Sequence, residues 1–152
     1  MFGRTLAVAV LALTIVGCGG SRSQASTGTS EYTRQVQSYL ARFAGVLETQ
    51  GYRRVAAGPV FGSLDDDGKA SHEMTVVGGV NYALFGACDN DCRDVDLIIY
   101  DSNGNVVKRD IAVDDNPLLL FTAARGGKYR IEVIMAVCNT EPCRYGLQLN
   151  SK

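Results

Sequence analysis

The chain has 152 residues, with 15 Lys and Arg, 16 Asp and Glu, and a formal net charge of −1. This balance lacks the basic excess expected of a protein that binds nucleic acid, so no nucleic-acid partner is predicted. The length suits one ordinary domain after a short leader. No second apolar run follows the one near the start, so no membrane span is predicted.

The first residues have the features of an export signal. Arg4 precedes an uncharged apolar run, Leu6 to Val16, which is too short to cross a bilayer but suits the core of a signal peptide. Gly17 stands directly before Cys18, and a small residue in that place resembles the signal of bacterial lipoproteins. The resemblance implies a signal peptide over 1–17, cleavage before Cys18 and lipid on Cys18. A plain secretory signal with an incidental Cys is the alternative.

Lipid on Cys18 would hold the protein at a membrane outside the cytoplasm, since more than one acyl chain gives a stable anchor. Residues 18–30 are rich in Gly, Ser and Thr and contain no bulky apolar side chain, so they predict a flexible tether. Gly19 follows Cys18 in place of the Asp that resembles an inner-membrane retention signal. In a Gram-negative cell we therefore expect the outer membrane, facing the periplasm or the cell surface.

An amphipathic helical region is predicted over 31–54, with the helix itself over 31–50. Apolar residues recur there at steps of three and four and form one stripe: Tyr32, Val36, Tyr39, Leu40, Phe43, Val46 and Leu47. Ser30 is suited to cap the start of the helix and Gly51 to end it. The stripe favours docking on the protein's own sheet, with a partner helix or a membrane surface as alternatives.

From 60 to 152 the pattern is all-β. Short apolar and β-branched runs are separated by Gly, Asp and Asn turn signals, and they cover 72–77, 80–87, 95–100, 105–112, 117–123, 128–137 and 144–149. Residues 51–62 are predicted to be a connection, marked by Gly58-Pro59. The predicted fold class is an antiparallel, jelly-roll-like β-sandwich preceded by one amphipathic α-helix.

Four motifs in this region resemble the bacterial pre-peptidase C-terminal domain. They are Gly62-Ser-Leu, the Gly78-Gly pair before an aromatic-bearing strand, Asp94-Val-Asp-Leu with the following Tyr100-Asp-Ser-Asn-Gly turn, and Gly127-Lys-Tyr. The resemblance covers roughly residues 60–150 and implies a β-sandwich of the kind appended to many secreted bacterial proteins. Two cysteine-containing loops depart from the family pattern. The family's role beside a peptidase does not transfer, so the resemblance implies the fold alone.

The four cysteines besides Cys18 fall in two tight pairs, Cys88 with Cys92 and Cys138 with Cys143. An even number in an exported chain indicates disulfides. Each pair brackets a turn-like loop, so pairing within each loop is favoured, while pairing between the loops stays open. A four-Cys zinc site is the metal alternative, although paired zinc ligands usually have about two residues between them.

Aspartates concentrate in the predicted loops. Asp89, Asp91, Asp94 and Asp96 stand close together in the sequence, and 65–67 is a further acidic run. Calcium prefers several oxygen ligands at short range, and some members of the resembled family bind it through acidic residues near such strands. Turns also favour Asp and Asn, which explains these residues without a metal. A calcium site at Asp89, Asp91, Asp94 and Asp96 is therefore the alternative to purely structural roles.

No organised catalytic site is evident, and no catalytic residue is assigned. His72 is the single histidine, and no nucleophile motif accompanies it. The predicted function is that of a non-catalytic envelope lipoprotein whose sandwich binds an envelope protein or a glycan, or has a structural role. The alternative is a calcium-binding module in which the cation binds the loops around 89–96 and gates partner binding; apart from that calcium, no cofactor is expected. The chain has no Trp, so the aromatic residues left for a sugar are Tyr82, Tyr100, Tyr129 and Tyr145.

Overall fold

The computed structural model describes residues 30–152. Within these residues the chain forms one helix followed by nine strands. They are α1 (Glu31–Thr49), β1 (Arg53–Arg54), β2 (Val60–Leu64), β3 (Lys69–Val76), β4 (Asn81–Cys88), β5 (Cys92–Tyr100), β6 (Val106–Asp110), β7 (Leu118–Thr122), β8 (Gly127–Cys138) and β9 (Cys143–Ser151). No helix of this part of the chain is long and apolar enough to span a membrane.

Two antiparallel sheets form a sandwich. Sheet A has the order β1-β9-β4-β7, with β2 also paired to β9, and sheet B has the order β3-β8-β5-β6. Strands β2 to β9 therefore follow the order of a jelly roll. The predicted fold class is confirmed, and every strand segment predicted from the sequence contains a strand.

The core between the sheets is built from alternating residues. In β8, Tyr129, Ile131, Val133 and Met135 are each at most 4% exposed. The residues that alternate with them, beginning with Lys128, form the outer face of the same strand. Since successive side chains of a strand point to opposite faces, the two-residue period in the sequence assigns one face to the core.

Helix α1 covers the outer face of sheet A. Ser30 caps its start, because the Ser30 hydroxyl accepts a hydrogen bond from the backbone N–H of Thr33 at 3.3 Å. Gly51 lies just past its end with a φ of 91°, a left-handed conformation that glycine adopts at little cost. The buried residues of the contact are Val36, Leu40, Ala44 and Leu47 from α1 and Ala83, Phe85 and Ala87 from β4. Docking of the helix on the protein's own sheet is confirmed, although Tyr32 and Val46 of the predicted stripe remain exposed.

The chain after the helix differs from the prediction. The helical region assigned to 31–54 ends at Thr49, and Arg53–Arg54 form β1 beside β9 instead. The helix ends there because Gly51 turns the chain, and the backbone N–H of Tyr52 bonds back to the carbonyl of Leu47 at 3.1 Å.

Part of the predicted connection over 51–62 is also a strand. Strand β2 pairs with β9 over five residues, from Val60 opposite Leu147 to Leu64 opposite Cys143. The strand was not predicted because this segment contains glycines and a proline, which are uncommon within strands. At Gly62, a side chain would overlap the ring of Tyr145, so the missing side chain permits the pairing.

Candidate functional site

Both cysteine pairs form disulfides within their own loops. Cys88 bonds to Cys92 across the β4–β5 turn, and Cys138 bonds to Cys143 across the β8–β9 turn. The favoured local pairing is confirmed, and pairing between the loops is excluded. Since all four sulfurs are in disulfides, none is a thiolate that could bind zinc.

Two carboxylates tie these loops to the sandwich. Asp89 is 1% exposed, and its Oδ2 accepts a hydrogen bond from the backbone N–H of Arg144 at 2.9 Å. The Arg144 guanidinium lies 4.0 Å from the same oxygen. At the other loop, Asp66 Oδ1 accepts a hydrogen bond from the backbone N–H of Cys138 at 2.7 Å. Both aspartates therefore act as structural loop residues.

The four aspartates predicted as calcium ligands are not brought together as one site. Asp89 is engaged by Arg144, while Asp91 lies in the turn closed by the first disulfide. Asp94 and Asp96 follow on β5. In the part of the chain that the structure describes, no three acidic, His or Cys side chains are grouped so that they could hold a metal ion. Calcium binding stays a prediction.

A different set of acidic residues surrounds Asp96. Burial raises the pKa of Asp96, and the negative charges of Asp94, Asp110 and Asp114 raise it further. Burial also raises the pKa of Asp94, which is 7% exposed and whose Oδ1 has no hydrogen-bond partner. Asp110 and Asp114 belong to the same acidic part of the sequence but were not among the predicted ligands, because they approach Asp96 only after β6 pairs with β5 and sets Asp110 opposite Leu97.

The predicted lipid site, Cys18, lies outside the described residues, together with the signal peptide over 1–17 and the tether up to residue 29. Lipidation therefore stays a prediction. The described chain begins at Ser30, the cap of the helix on the outer face of sheet A.

A cleft opens between the two sheets at one edge of the sandwich, and we call it the edge cleft. Its mouth is bounded by residues of the segment 55–60 and by residues 72–75 of β3. Its inner end is formed by side chains of the core: Leu84, Ile131, Leu147 and Leu149. The cleft has a volume of about 280 Å³, and Val55, Val60 and Met74 add further aliphatic surface.

The edge cleft exists because the chain leaves sheet A between β1 and β2. Strand β9 pairs with β1 at residues 150–151 and with β2 as far as Leu147, which leaves a gap between them. In the connecting segment, Gly58 has a φ of 70° and Pro59 has no N–H to donate to a sheet. The sequence marked this segment only as a connection, so the cleft was not predicted.

One hydrogen-bonded pair lies at the edge cleft. His72 lines the cleft, and its Nε2 lies 2.8 Å from the hydroxyl oxygen of Tyr145, with the donor set by the histidine tautomer. Burial lowers the pKa of His72 and raises the pKa of Tyr145, so both groups favour their neutral forms. The partner of the single histidine is thus a phenol of the core.

The tyrosines considered as sugar contacts do not offer open ring faces. Three of them belong to the core and are at most 4% exposed: Tyr82, Tyr129 and Tyr145. The fourth, Tyr100, lies on sheet B with the Arg130 guanidinium 3.8 Å from its ring centroid. The Tyr100 hydroxyl donates a hydrogen bond to Glu132 at 2.7 Å, and this bond raises the pKa of Tyr100.

No protein-family model matches the chain, and no curated protein matches it. Among solved structures, the fold is similar to a pre-peptidase C-terminal domain of collagenase from Bacillus anthracis, with 17% identity and a TM-score of 0.49. The match covers 60% of this chain and 86% of that chain.

A second similar structure is PliG from Aeromonas hydrophila, a periplasmic lysozyme inhibitor of g-type lysozyme, with 11% identity and a TM-score of 0.47. The match covers 68% of this chain and 90% of that chain. Both similarities are too weak in identity and in TM-score to assign a family or a function to this chain.

Proposed function

We propose that residues 30–152 form a non-catalytic binding module of the cell envelope, anchored through lipid on Cys18, and that the module binds a protein at the edge cleft. The observation that carries this proposal is the cleft itself, a mostly apolar cavity of about 280 Å³ that reaches the core at an open edge of the sandwich. Binding sites for other molecules are typically concave and mostly apolar, with a few polar groups. His72 supplies such a polar group here.

The walls of the cleft favour a protein ligand over a glycan. Sugars are commonly bound against the ring faces of Trp, Tyr or Phe, and none of these residue types lines the cleft, whereas Val55, Val60 and Met74 present aliphatic surface. The tyrosines that could have formed a sugar platform are buried or covered by Arg130. Apolar side chains of a partner protein match the mostly apolar lining of the cavity.

The placement of the module in the envelope is supported by its cysteines. Both pairs form short disulfide loops, and such bonds persist in oxidising compartments. The lipoprotein-type signal before Cys18 indicates the same compartment. The tether would enter at Ser30, on the outer side of sheet A.

The absence of catalysis is proposed from the state of the reactive groups. His72 is hydrogen-bonded to Tyr145, with its neutral form favoured. Every cysteine among the described residues is in a disulfide, which removes thiol nucleophiles. A histidine without a nucleophile beside it does not form a catalytic unit.

Site-specific photo-crosslinking in cells tests the binding site. A benzophenone amino acid at Ala57, which lines the cleft, is expected to form a covalent adduct with one envelope protein. The matched control places the same amino acid at Ala56, which is also exposed but does not line the cleft. Equal adducts from the two positions, or none from Ala57, would refute binding at the cleft.

The anchor is tested separately by metabolic labelling. The full chain is expected to incorporate labelled palmitate, and Cys18→Ser is expected to abolish the label while the protein still folds. Labelling that persists in Cys18→Ser would place the lipid elsewhere and would leave the binding result unaffected.

Calcium binding is a second candidate, and one observation favours it. Asp94 Oδ1 is buried without a hydrogen-bond partner, and the charge of Asp94 acts on its neighbour Asp96. A cation would supply the missing partner and relieve the repulsion among the carboxylates. Millimolar calcium is then expected to raise the melting temperature, and a chelator to reverse the rise; an unchanged melting temperature contradicts this candidate.

A further inference from the structure

Each sheet of the described chain has two free edges. They belong to β1 with β2 and to β7 in sheet A, and to β3 and β6 in sheet B. A free edge presents unpaired backbone N–H and C=O groups, which can pair with a strand of another chain. The four edges differ in how strongly they oppose such pairing.

Three of the edges carry features that protect sheet edges. The edge of β1 and β2 is interrupted by the segment that contains Gly58-Pro59. Strand β7 has five residues and directly follows Pro117. Strand β6 has five residues, carries Lys108 and Arg109, and pairs with β5 through an irregular register. Short strands, proline, positive charge and bulges all disfavour the addition of another strand.

Strand β3 is longer than the strands of the other three edges and has no proline or bulge, and its one basic residue is Lys69 at its start. It runs for eight residues from Lys69 to Val76 and pairs with β8 in an unbroken register along its full length. It contains no proline, and its outer face carries exposed side chains: Lys69, Ser71, Glu73 and Thr75. Among the four edges, β3 is therefore the one best suited to accept a further strand.

The charges on β3 indicate which strand that is. Lys69 and Glu73 stand at equal distances on either side of Ser71. When two β3 strands pair antiparallel about Ser71, Lys69 of one copy faces Glu73 of the second copy, and the reverse pair forms across the two-fold axis. Opposite charges at facing positions stabilise antiparallel strands, and a self-complementary patch is what a two-fold dimer requires. We infer that two copies of this chain associate through β3 and join their sheets B into one continuous sheet.

The orientation of the two helices agrees with this pairing. The two-fold axis of an antiparallel edge pair is perpendicular to the sheet, so both copies have sheet A and α1 on the same side. Both copies would then present Ser30, where the proposed tether joins the module, on the same side, which suits two lipid anchors in a single membrane. This point about the membrane depends on the proposed lipidation, whereas the strand pairing does not.

Cysteine crosslinking of the full chain in a bacterial envelope tests the dimer. Ser71→Cys places a thiol on the two-fold axis, so oxidation with copper phenanthroline is expected to produce a band of twice the chain mass on a non-reducing gel. Thr75→Cys is the matched control, because Thr75 is exposed on the same face of β3 but faces Asp67 of the second copy. Equal dimer bands from the two variants would overturn the inference.

A charge swap tests the register. In the Ser71→Cys background, Lys69→Glu sets two Glu residues opposite each other and is expected to cause loss of the dimer band. Adding Glu73→Lys exchanges both charges and is expected to restore the band, although the exposed ion pair of Glu73 with Lys128 is lost. Thermal melting of each purified variant verifies folding. Failure of the double variant to restore the band, or a Ser71→Cys adduct with a different protein, would refute pairing between two copies.

Discussion

The contact between α1 and sheet A can be tested with one glycine of β9. A Cβ at Gly146 would lie 2.8 Å from Leu40 Cδ1, 2.8 Å from Val36 Cγ1 and 3.0 Å from Phe61 Cδ1. Leu40 and Val36 are at most 2% exposed, so neither can move without disturbing its neighbours. Gly146→Ala is therefore expected to push the helix away from the sheet.

The expected cost follows from the packing. Overfilling a well-packed contact costs about 1–3 kcal/mol, and replacing glycine within a strand recovers about 0.5–1 kcal/mol. The midpoints of these two ranges leave a net loss of about 1 kcal/mol, which corresponds to a fall in melting temperature of about 4 °C for a domain of this size.

A second glycine provides the matched control. Gly45 lies in α1 with no atom within 4 Å of a Cβ placed on it. Gly45→Ala is therefore expected to stabilise the helix by about 0.8–1 kcal/mol, since glycine in a helix interior is less favourable than alanine. The same substitution should thus change the melting temperature in opposite directions at the two sites.

Thermal unfolding followed by circular dichroism measures both effects. Val36→Ala combined with Gly146→Ala should lose less stability than the two single changes added together, because the smaller side chain makes room for the new methyl group. A neutral or stabilising Gly146→Ala would show that the helix is not packed closely on β9, and strict additivity would show that Val36 is not the residue it displaces.

Three further outcomes follow from the structure. Asp96→Asn should raise the melting temperature at neutral pH in calcium-free buffer, because burial and neighbouring negative charges raise the pKa of Asp96 and so disfavour its charged form. The gain should shrink as the pH falls, since the wild-type carboxylate then becomes protonated. A lower melting temperature of Asp96→Asn at neutral pH would contradict this prediction. Burial lowers the pKa of His72, so the contribution of its neutral form to stability is complete above the unfolded pKa of about 6.5 and is lost as the pH falls below that value. His72→Gln should therefore flatten the dependence of stability on pH between roughly 7.5 and 5.5. An unchanged slope in this range would exclude the role of His72. Replacing Cys138 and Cys143 with Ser should cost about 2 kcal/mol by the loop-entropy relation, seen as a lower denaturation midpoint, and an unchanged midpoint would show that the bond adds no net stability.

Local features of the sequence predicted much of the fold. Ser30 caps α1 as its position indicated, and the alternation along β8 predicted which face lies in the core. The spacing within each cysteine pair also favoured the disulfides that form. These features depend on residues a few positions apart, whose geometry the helix and strand periods determine.

The edge cleft could not be predicted in this way. His72 contacts Tyr145, a residue 73 positions away. Likewise, Asp110 and Asp114 act on Asp96 only after β6 folds back along β5. No periodicity within a short segment contains this information, because the register between strands places the residues together.

Features set by local periodicity could therefore be predicted from the sequence, and features set by the pairing of distant strands could not. The order of polar and apolar residues by itself determined a β-rich chain, its helix and the faces its strands bury, because burial follows the repeat of the backbone. Only the tertiary structure decided that β2 stops short of β1 and leaves a gap beside Leu147, and that β3 remains an uncovered edge. Both surfaces proposed here for partners arise at edges, where the pairing of distant strands ends and backbone groups are left available.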